Sequence, residues 1–309
     1  MTLLTPERTL ERRGVALASL SVLVYALIPV GIALAVSDGV PLPAIYAGRT
    51  VLALGVVVLL ARRLRRPGSR RWTPRPGDRR RLALVGGSAY CAQMVLYFAS
   101  LTRLDVSVAG VLAYAYPALV ALGAVGVGLE RLGARQLVSL ALSMLGITLV
   151  VGTGAPSSMD PLGVLMALGS AVAYAVYILS TSGPSSRVGP LASSAWVLTG
   201  ATVISVALLA VWPPGPFPLL AGTGWLLLHG LVLLPVAVTC FLVALSSLGA
   251  VRLSIFDTLQ PAITALAGVV VLGERLGWWQ VAGAALVLVA AVRAVSGARP
   301  ALTDRPVHA

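Results

Sequence analysis

Long apolar stretches separated by short polar linkers recur along the whole chain. Each is about 17–24 residues long, enough for a helix to cross the roughly 30 Å of hydrocarbon in a bilayer. The strict alternation of a membrane β-strand is absent from the sequence, so the pattern predicts helical spans. Ten spans result: Gly14–Val36, Ala44–Ala61, Leu82–Leu101, Val106–Val127, Arg135–Val151, Pro161–Thr181, Ala192–Trp212, Thr223–Ser246, Val251–Leu272 and Trp278–Ser296.

The second half of the chain repeats the pattern of the first. A proline-containing apolar run closes with Glu130-Arg131-Leu132-Gly133, and the same four residues recur 144 positions later as Glu274-Arg275-Leu276-Gly277. A glutamine follows both motifs, and residues 97–104 match residues 241–248 at the same offset. Self-similarity at a fixed, large offset indicates a duplicated architecture.

Each copy contains five spans. A further match, between residues 14–18 and 163–167, divides the chain into an N-terminal segment, two repeats and a C-terminal tail: 1–13, 14–151, 152–296 and 297–309. An odd number of spans inverts the second copy in the membrane, as in alternating-access transporters. We therefore predict an all-α integral membrane protein with ten transmembrane helices, built as two inverted five-helix repeats. Glu130 then faces the cytoplasm and Glu274 the outside.

Composition supports the membrane assignment. Hydrophobic residues make up 58% of the 309 residues, charged residues make up 11%, and the mean hydropathy is +0.94. Soluble domains carry about 25% charged residues. The two cysteines lie in apolar runs without metal-ligand or disulfide spacing, so we expect neither a metal nor a cofactor.

The basic residues, all of them arginine, determine the expected orientation. Ten lie in one loop, residues 62–81, and twenty fall on the side that holds both termini, against two on the other side. This distribution predicts cytoplasmic termini in the inner (plasma) membrane, and it argues against nucleic acid as the partner of the positive charge. The arginine-rich loop either fixes topology alone or also binds anionic lipid. Four tryptophans agree by falling at the outer interface: Trp212, Trp225, Trp278 and Trp279.

Tyrosines lie deep inside the predicted spans, although this residue normally favours membrane interfaces. A hydroxyl at that depth needs a hydrogen-bond partner or a wet cavity. Two interpretations are open: packing between helices with bonds to backbone carbonyls, or a shared aqueous cavity with aromatic walls that binds the substrate. The residues concerned are Tyr25, Tyr90, Tyr97, Tyr114, Tyr116, Tyr174 and Tyr177.

Arg49 and Asp257 are the clearly intramembrane charges. Such residues are costly unless they face a cavity or a partner, so each is a functional candidate. Arg49 is close enough to the outer end of its span for snorkelling to be the alternative. The two lie about 12 Å apart in depth at 1.5 Å per helical residue, too far for a direct salt bridge. Asp257 aligns with Ala113 in the other repeat, so this charge breaks the symmetry.

Other polar or helix-breaking residues also lie at membrane depth. Gln93 and Gln260 are candidates for substrate binding. His229 is either a proton carrier or a packed core residue. Pro117 and Pro261 interrupt helical hydrogen bonding, which predicts kinks and allows gating. Glu130 and Glu274 close their spans beside an arginine, where we expect a structural role.

No nucleotide-binding loop, zinc-protease motif or nucleophile elbow is present in the sequence, so neither ATP-driven transport nor an enzyme is expected. The two blocks with proline, Glu-Arg-Leu-Gly and glutamine resemble the EamA-type permeases of the drug/metabolite transporter superfamily. The resemblance covers residues 14–296, and the first copy departs from the pattern with Leu129 where the second has Gly273.

This resemblance implies ten helices, with spans one, three, four, six, eight and nine around a central cavity. It implies export, or sometimes uptake, of small metabolites such as amino acids, and Arg49 matches an arginine often found early in the second span. Four-span multidrug relatives use a carboxylate in their first span, which Gly14–Val36 lacks, so multidrug efflux of that kind is not expected. The alternative to transport is a membrane scaffold or sensor that keeps the fold.

Overall fold

The computed structural model describes residues 6–64, 75–100, 103–104, 106–151, 160–216, 219–272 and 277–295. Within these ranges the regular secondary structure is helical throughout. Residues 273–276, which include Glu274, residues 65–74 of the arginine-rich loop and the C-terminal tail from residue 296 lie outside the described residues.

The helices follow the predicted spans closely. In the first half they are α1 (Pro6–Ser37), α2 (Leu42–Arg63), α3 (Pro76–Arg80), a π-helical segment (Arg81–Gly87), α4 (Ser88–Ser100), α5 (Val106–Ala113), α6 (Tyr116–Gly126) and α7 (Ala134–Val151). In the second half they are α8 (Pro161–Val188), α9 (Pro190–Val211), α10 (Leu219–Leu227), a second π-helical segment (Leu228–Leu233), α11 (Leu234–Leu248), α12 (Ala250–Asp257), α13 (Leu259–Leu272) and α14 (Trp278–Val295).

Six helical stretches of the described chain are long and apolar enough to cross a membrane: Arg12–Ser37, Leu42–Arg63, Pro76–Ser100, Pro161–Val188, Pro190–Val211 and Gly222–Leu248. They coincide with predicted spans one, two, three, six, seven and eight. The predicted all-helical membrane class is thereby confirmed. The segments predicted as spans four and nine are each divided into two shorter helices.

Proline causes that division. Pro117 lies in the first turn of α6 and Pro261 in the first turn of α13. Because proline has no N–H, it cannot donate to the carbonyl four residues earlier, which belongs to Ala113 in one case and Asp257 in the other. These two residues are the last of α5 and α12, so each helix ends where its next hydrogen bond is missing. Both segments therefore break near the middle of the bundle.

The two halves pack against each other in matching pairs. Helix α1 packs on α11 and α13, and its counterpart α8 packs on α4 and α6. Gly14 lies against Ser247 and Gly31 against His229, so α1 runs antiparallel to the helical stretch Gly222–Leu248 that contains α11. Helices α2 and α9 pack together, as do α7 and α14. When each helix is replaced by the equivalent helix of the other repeat, the same set of packed helix pairs results. This is expected for two halves related by a two-fold axis.

Small residues allow the closest approach between helices. A Cβ on Gly200 of α9 would lie 1.8 Å from the carbonyl oxygen of Ala83, in the first π-helical segment. Only glycine fits there, and such small-residue contacts are the usual way in which membrane helices come together. The contact brings α9 against the helix that carries Tyr90.

The two ends of the bundle are held by different polar contacts. At the end where α1 begins, Arg187 forms an ion pair with Asp78 at 2.6 Å, and the Arg135 Nε donates to the Arg293 carbonyl at 3.0 Å. At the opposite end the Trp225 indole donates to Asp38 at 2.8 Å.

Asp160 caps α8 at that opposite end. Its carboxylate accepts hydrogen bonds from the backbone N–H groups of Gly163 at 3.0 Å and Leu162 at 2.8 Å, and Arg103 lies 3.3 Å away. The Gly163 bond, with those of Leu162 and Arg103, holds the pKa of the Asp160 carboxyl below its usual value.

Candidate functional site

The break in the second half places Asp257 in the centre of the protein. Asp257 is the last residue of α12 and is fully buried. The Tyr174 hydroxyl, from α8, donates a hydrogen bond to its Oδ2 at 3.0 Å, and the Gln260 side chain lies beside the same carboxylate. The other oxygen, Oδ1, has no partner at hydrogen-bonding geometry. A buried carboxylate with a free acceptor oxygen is suited to hold a cation or a proton.

Tyr174 connects this carboxylate to a group of stacked aromatic rings. Its ring meets Tyr116 edge-on at 4.5 Å and stacks on Tyr177 at 5.8 Å. Tyr177 in turn contacts Tyr90 at 5.3 Å, and Phe241 lies against Tyr177 at 5.5 Å. Six tyrosines contact one another in this way, either directly or through the Phe241 ring. We call them the tyrosine cluster: Tyr25, Tyr90, Tyr114, Tyr116, Tyr174 and Tyr177.

The rings of the cluster pack on one another, as one of the two interpretations of the sequence expects. Tyr25, Tyr114 and Tyr174 are half-buried, whereas Tyr90, Tyr116 and Tyr177 are buried. Offset and edge-to-face ring contacts are favourable by about 0.5–1.5 kcal/mol each, so the rings come together when no other group separates them. The Tyr116 and Tyr177 hydroxyls are buried without a partner. Buried polar groups are normally hydrogen-bonded, so these hydroxyls and Asp257 Oδ1 form a set of polar atoms available to a ligand.

Two predicted site residues take no part in the ring contacts that define this cluster, although Tyr97 lies near Tyr114. Tyr97 packs against Leu104 and Ala109 and meets Phe98 edge-on at 5.6 Å. Gln93 is half-buried on α4. Phe241, which the sequence did not single out, occupies the position in the second repeat that aligns with Tyr97 in the first. The repeat alignment, which pairs it with Tyr97, is the signal that could have found it.

Arg49 lies in a separate cavity between α2, α4 and α9. Its side chain is 1% exposed, so it does not snorkel to the membrane surface. One guanidinium nitrogen donates to the Met94 sulfur, and the guanidinium lies over the Tyr46 ring at 5.1 Å. The cavity has a volume of about 10 Å³, room for roughly one water, and Tyr90 lines it as well.

His229 is a buried residue of the second π-helical segment. It packs against Gly31 of α1, where any side chain larger than glycine would meet the imidazole ring, and Trp225 lies 6.4 Å away. Neither ring nitrogen has a partner at hydrogen-bonding geometry. The ring belongs to the contact between this segment and α1 and is not among the ring contacts of the tyrosine cluster.

Glu130 has a contact that the sequence did not predict. Its carboxylate accepts hydrogen bonds from the backbone N–H groups of Ala250 at 2.7 Å and Val251 at 3.3 Å, which begin α12. Gly249 precedes them with a φ of +84°, a conformation that favours glycine. Glu130 thus caps a helix of the other repeat, because free N–H groups at a helix start attract negative charge. The expected structural role gains a definite partner.

In the described part of the chain no three His, Cys, Asp or Glu side chains are grouped as metal ligands.

Comparison with known proteins decides the family. The family model described as the EamA-like transporter family matches residues 12–152 and, a second time, residues 161–295. The chain belongs to the EamA-like transporter family. It is therefore a multi-pass membrane protein of the drug/metabolite transporter superfamily, as its two similar halves indicated.

Solved structures agree in fold with this EamA-like protein, and one of them is a crystal structure. It superposes with a TM-score of 0.75 at 19% sequence identity, over 91% of this chain and 96% of the other. At that identity the likeness concerns the fold alone. No curated protein matches the sequence.

Proposed function

We propose that this protein is a secondary transporter of small organic metabolites, amino acids or related amines, which it exports by alternating access. The observation that carries the proposal is Asp257: a buried carboxylate at a helix break, with one oxygen free and unpartnered tyrosine hydroxyls close by. Broken helices near the membrane midplane, at the interface between two repeats, are where transporters of inverted-repeat architecture bind their substrates.

In this mechanism Asp257 Oδ1 accepts a hydrogen bond from the ammonium group of the substrate. Tyr174 holds Oδ2 by its 3.0 Å hydrogen bond, which keeps the carboxylate oriented toward the cluster. The faces of neighbouring rings, Tyr116 and Tyr177, add cation–π attraction for the amine and apolar contact for the rest of the substrate. Their hydroxyls supply hydrogen bonds that have no partner within the protein.

We propose ten spans in two inverted halves that rock about this centre. The matching helix pairs across the two halves support the arrangement, because a two-fold relation gives both halves equivalent contacts with the site. At the end where α1 begins, Glu130 of the first half holds the start of α12 in the second half. This hydrogen bond joins the halves there, so opening at that end has to break it or carry both partners together.

Flux in proteoliposomes tests the transport function. Purified protein is reconstituted and loaded with radiolabelled alanine, leucine or phenylalanine, with and without a pH gradient, and thermal stabilisation by the same solutes is measured in parallel. Saturable flux above protein-free vesicles supports the proposal. A scaffold that only keeps the fold predicts neither flux nor stabilisation by any solute, and that result would refute transport.

We propose an orientation in the inner (plasma) membrane as well. The end of the bundle where α1 begins faces the cytoplasm, and both termini lie on that side. The arginine-rich loop, residues 62–81, then lies at the cytoplasmic leaflet, where it contacts anionic headgroups. The test uses single cysteines, Leu129→Cys and Gly273→Cys, in a background lacking Cys91 and Cys240. An impermeant maleimide should label the cysteine at 273 in intact cells and the one at 129 only after permeabilisation. Labelling of both from one side would refute the inverted repeat.

A further inference from the structure

Arg49 is a buried cation with a hydrogen-bond donor that the protein itself leaves unused. A guanidinium carries five N–H donors and stays charged inside proteins. One nitrogen of Arg49 donates to the Met94 thioether, which is a weak acceptor, and Nε is buried without a partner. The Tyr46 ring adds cation–π attraction at 5.1 Å. A buried charge normally has an opposite charge beside it.

The described residues around Arg49 supply no such opposite charge. None of the residues that line its cavity is acidic. Four titratable groups lie within electrostatic reach of the guanidinium, and none of them is an anion at neutral pH. They are Tyr46, Tyr90, Cys91 and His229.

The Asp257 carboxylate does not fill this role. Tyr90 lines the Arg49 cavity and contacts Tyr177 at 5.3 Å, and Tyr177 stacks at 5.8 Å on Tyr174, which holds Asp257. A row of three rings therefore stands between the two buried charges. The Arg49 cavity is a polar site of its own, separate from the site proposed for the solute.

The size and the donors of this cavity suit a monatomic anion. With about 10 Å³ it has room for roughly one water, and a halide ion is only slightly larger than a water, whereas a carboxylate or a sulfate is much larger. The Tyr46 hydroxyl, from a residue that lines the cavity, is a second buried donor without a partner. Ser205 and Cys91 face each other at 3.6 Å, so one of them accepts and keeps its own hydrogen free.

We propose that Arg49 and its cavity bind a chloride ion, which serves as a resident counter-ion between three helices. The Arg49 Nε and the Tyr46 hydroxyl donate to the ion, and the low-polarity surroundings strengthen the attraction between the two charges. The lining residues come from α2, α4 and α9, so the ion stabilises the contact between these helices. Residues 193–198, which correspond to Arg49 in the second repeat, include no charged side chain, so the site belongs to the first half alone.

The test measures the melting temperature of the full-length protein in detergent while sodium chloride replaces sodium gluconate at constant ionic strength. Above its dissociation constant, chloride should raise the melting temperature with the logarithm of its concentration, as for any ligand of the folded state. Bromide, which is also monatomic, should act in the same way, and gluconate is too large for the cavity. Choline chloride should match sodium chloride, since the anion is what binds.

Two variants locate the ion. In Arg49→Gln the apparent affinity for chloride should fall about tenfold to a hundredfold, because a hydrogen bond between charged groups is lost. Tyr46→Phe keeps the ring over the guanidinium and removes one donor, so the affinity should fall about tenfold. The matched control is Arg103→Gln, which makes the same substitution at an exposed arginine and should bind chloride like the wild type.

Several results would overturn the chloride site. Equal melting temperatures in chloride and gluconate would show that no small anion binds, and a response to sodium chloride without one to choline chloride would indicate a cation site. Wild-type affinity in Arg49→Gln would place the ion elsewhere. Should Arg49→Gln fail to fold, Tyr46→Phe decides, and an unchanged chloride affinity in that variant sinks the proposal.

The chloride site does not depend on the proposed transport function. The melting temperature is measured without flux, so a protein that binds chloride and moves no solute would refute transport and leave the site standing. A protein that moves solute and does not respond to chloride would refute the site and leave transport standing.

Discussion

The two proline-broken segments, α5–α6 and α12–α13, have the same backbone design and different chemistry. In each, a short helix ends four residues before a proline and a second helix begins around it. In the first half the residue at the break is Ala113, and in the second half it is Asp257. Both are buried, but only the second brings a charge to the centre.

This difference separates what the duplication provides in both halves from what one half alone provides. The repeat supplies the breaks, the helix pairs and one matched pair of tyrosines, Tyr25 and Tyr174, and these features recur in both halves. A single unmatched residue then supplies the ionisable group. Because proline already frees backbone carbonyls at both breaks, a polar substitution costs less there than within a continuous span.

The largest effect is expected for Asp257→Asn, which removes the charge at one break and makes the two segments chemically more alike. The substitution keeps shape and hydrogen bonding with Tyr174, so expression and folding should stay near normal. Flux of an amine-bearing solute should fall roughly a hundredfold, since a buried charged hydrogen bond to the substrate is lost. Proteoliposome flux between pH 5.5 and pH 8 measures this.

The control for Asp257→Asn is Asp160→Asn. It makes the same change at the exposed cap of α8, where asparagine also accepts backbone hydrogen bonds, and flux should stay at the wild-type level. Wild-type flux and pH dependence in Asp257→Asn would mean that the asymmetry between the two breaks has no functional weight.

A smaller effect is expected for Tyr174→Phe. The variant keeps the ring contacts but removes the hydroxyl that orients Asp257. Loss of one hydrogen bond to a charged group should reduce flux by about tenfold, mainly through a weaker apparent affinity for the solute. Ser19→Ala serves as the control, because it removes a hydroxyl bonded within its own helix. If Tyr174→Phe leaves apparent affinity unchanged, Tyr174 does not position the carboxylate.

The smallest effect concerns the link between the halves. Glu130→Ala removes the cap of α12 and should lower stability by about 1 kcal/mol, a typical cost for a lost helix cap. Glu130→Gln keeps an acceptor oxygen and should lose less. Melting temperatures in detergent measure both.

The repeat sharpens this last expectation. If the halves are equivalent, Glu274→Ala should destabilise by a similar amount, because Glu274 occupies the matching position in the second copy. A loss confined to Glu130→Ala would show that the two repeat ends are built differently.

Part of this molecule follows from the sequence alone. Apolar length fixes the helical spans, because a bilayer leaves the backbone no other way to satisfy its hydrogen bonds. The repeated motif identified the duplication and the family, and Pro117 and Pro261 located the breaks. Asp257 stood out since an unmatched carboxylate in an apolar run is costly without a purpose. These features depend on local composition and spacing, which the sequence records directly.

Other features depended on tertiary packing. Periodicity did not separate Tyr97, which packs against Leu104, from Tyr177, which stacks in the cluster, because both lie on deep helical positions. Arg49 is close enough to its span's end to reach the surface, yet the α2–α4–α9 contact buries it. The Glu130 cap on α12 joins residues 120 positions apart. Lipid and the protein interior are similarly apolar, so the hydrophobic pattern does not show which face of a membrane helix contacts other helices. The neighbouring helices decide this.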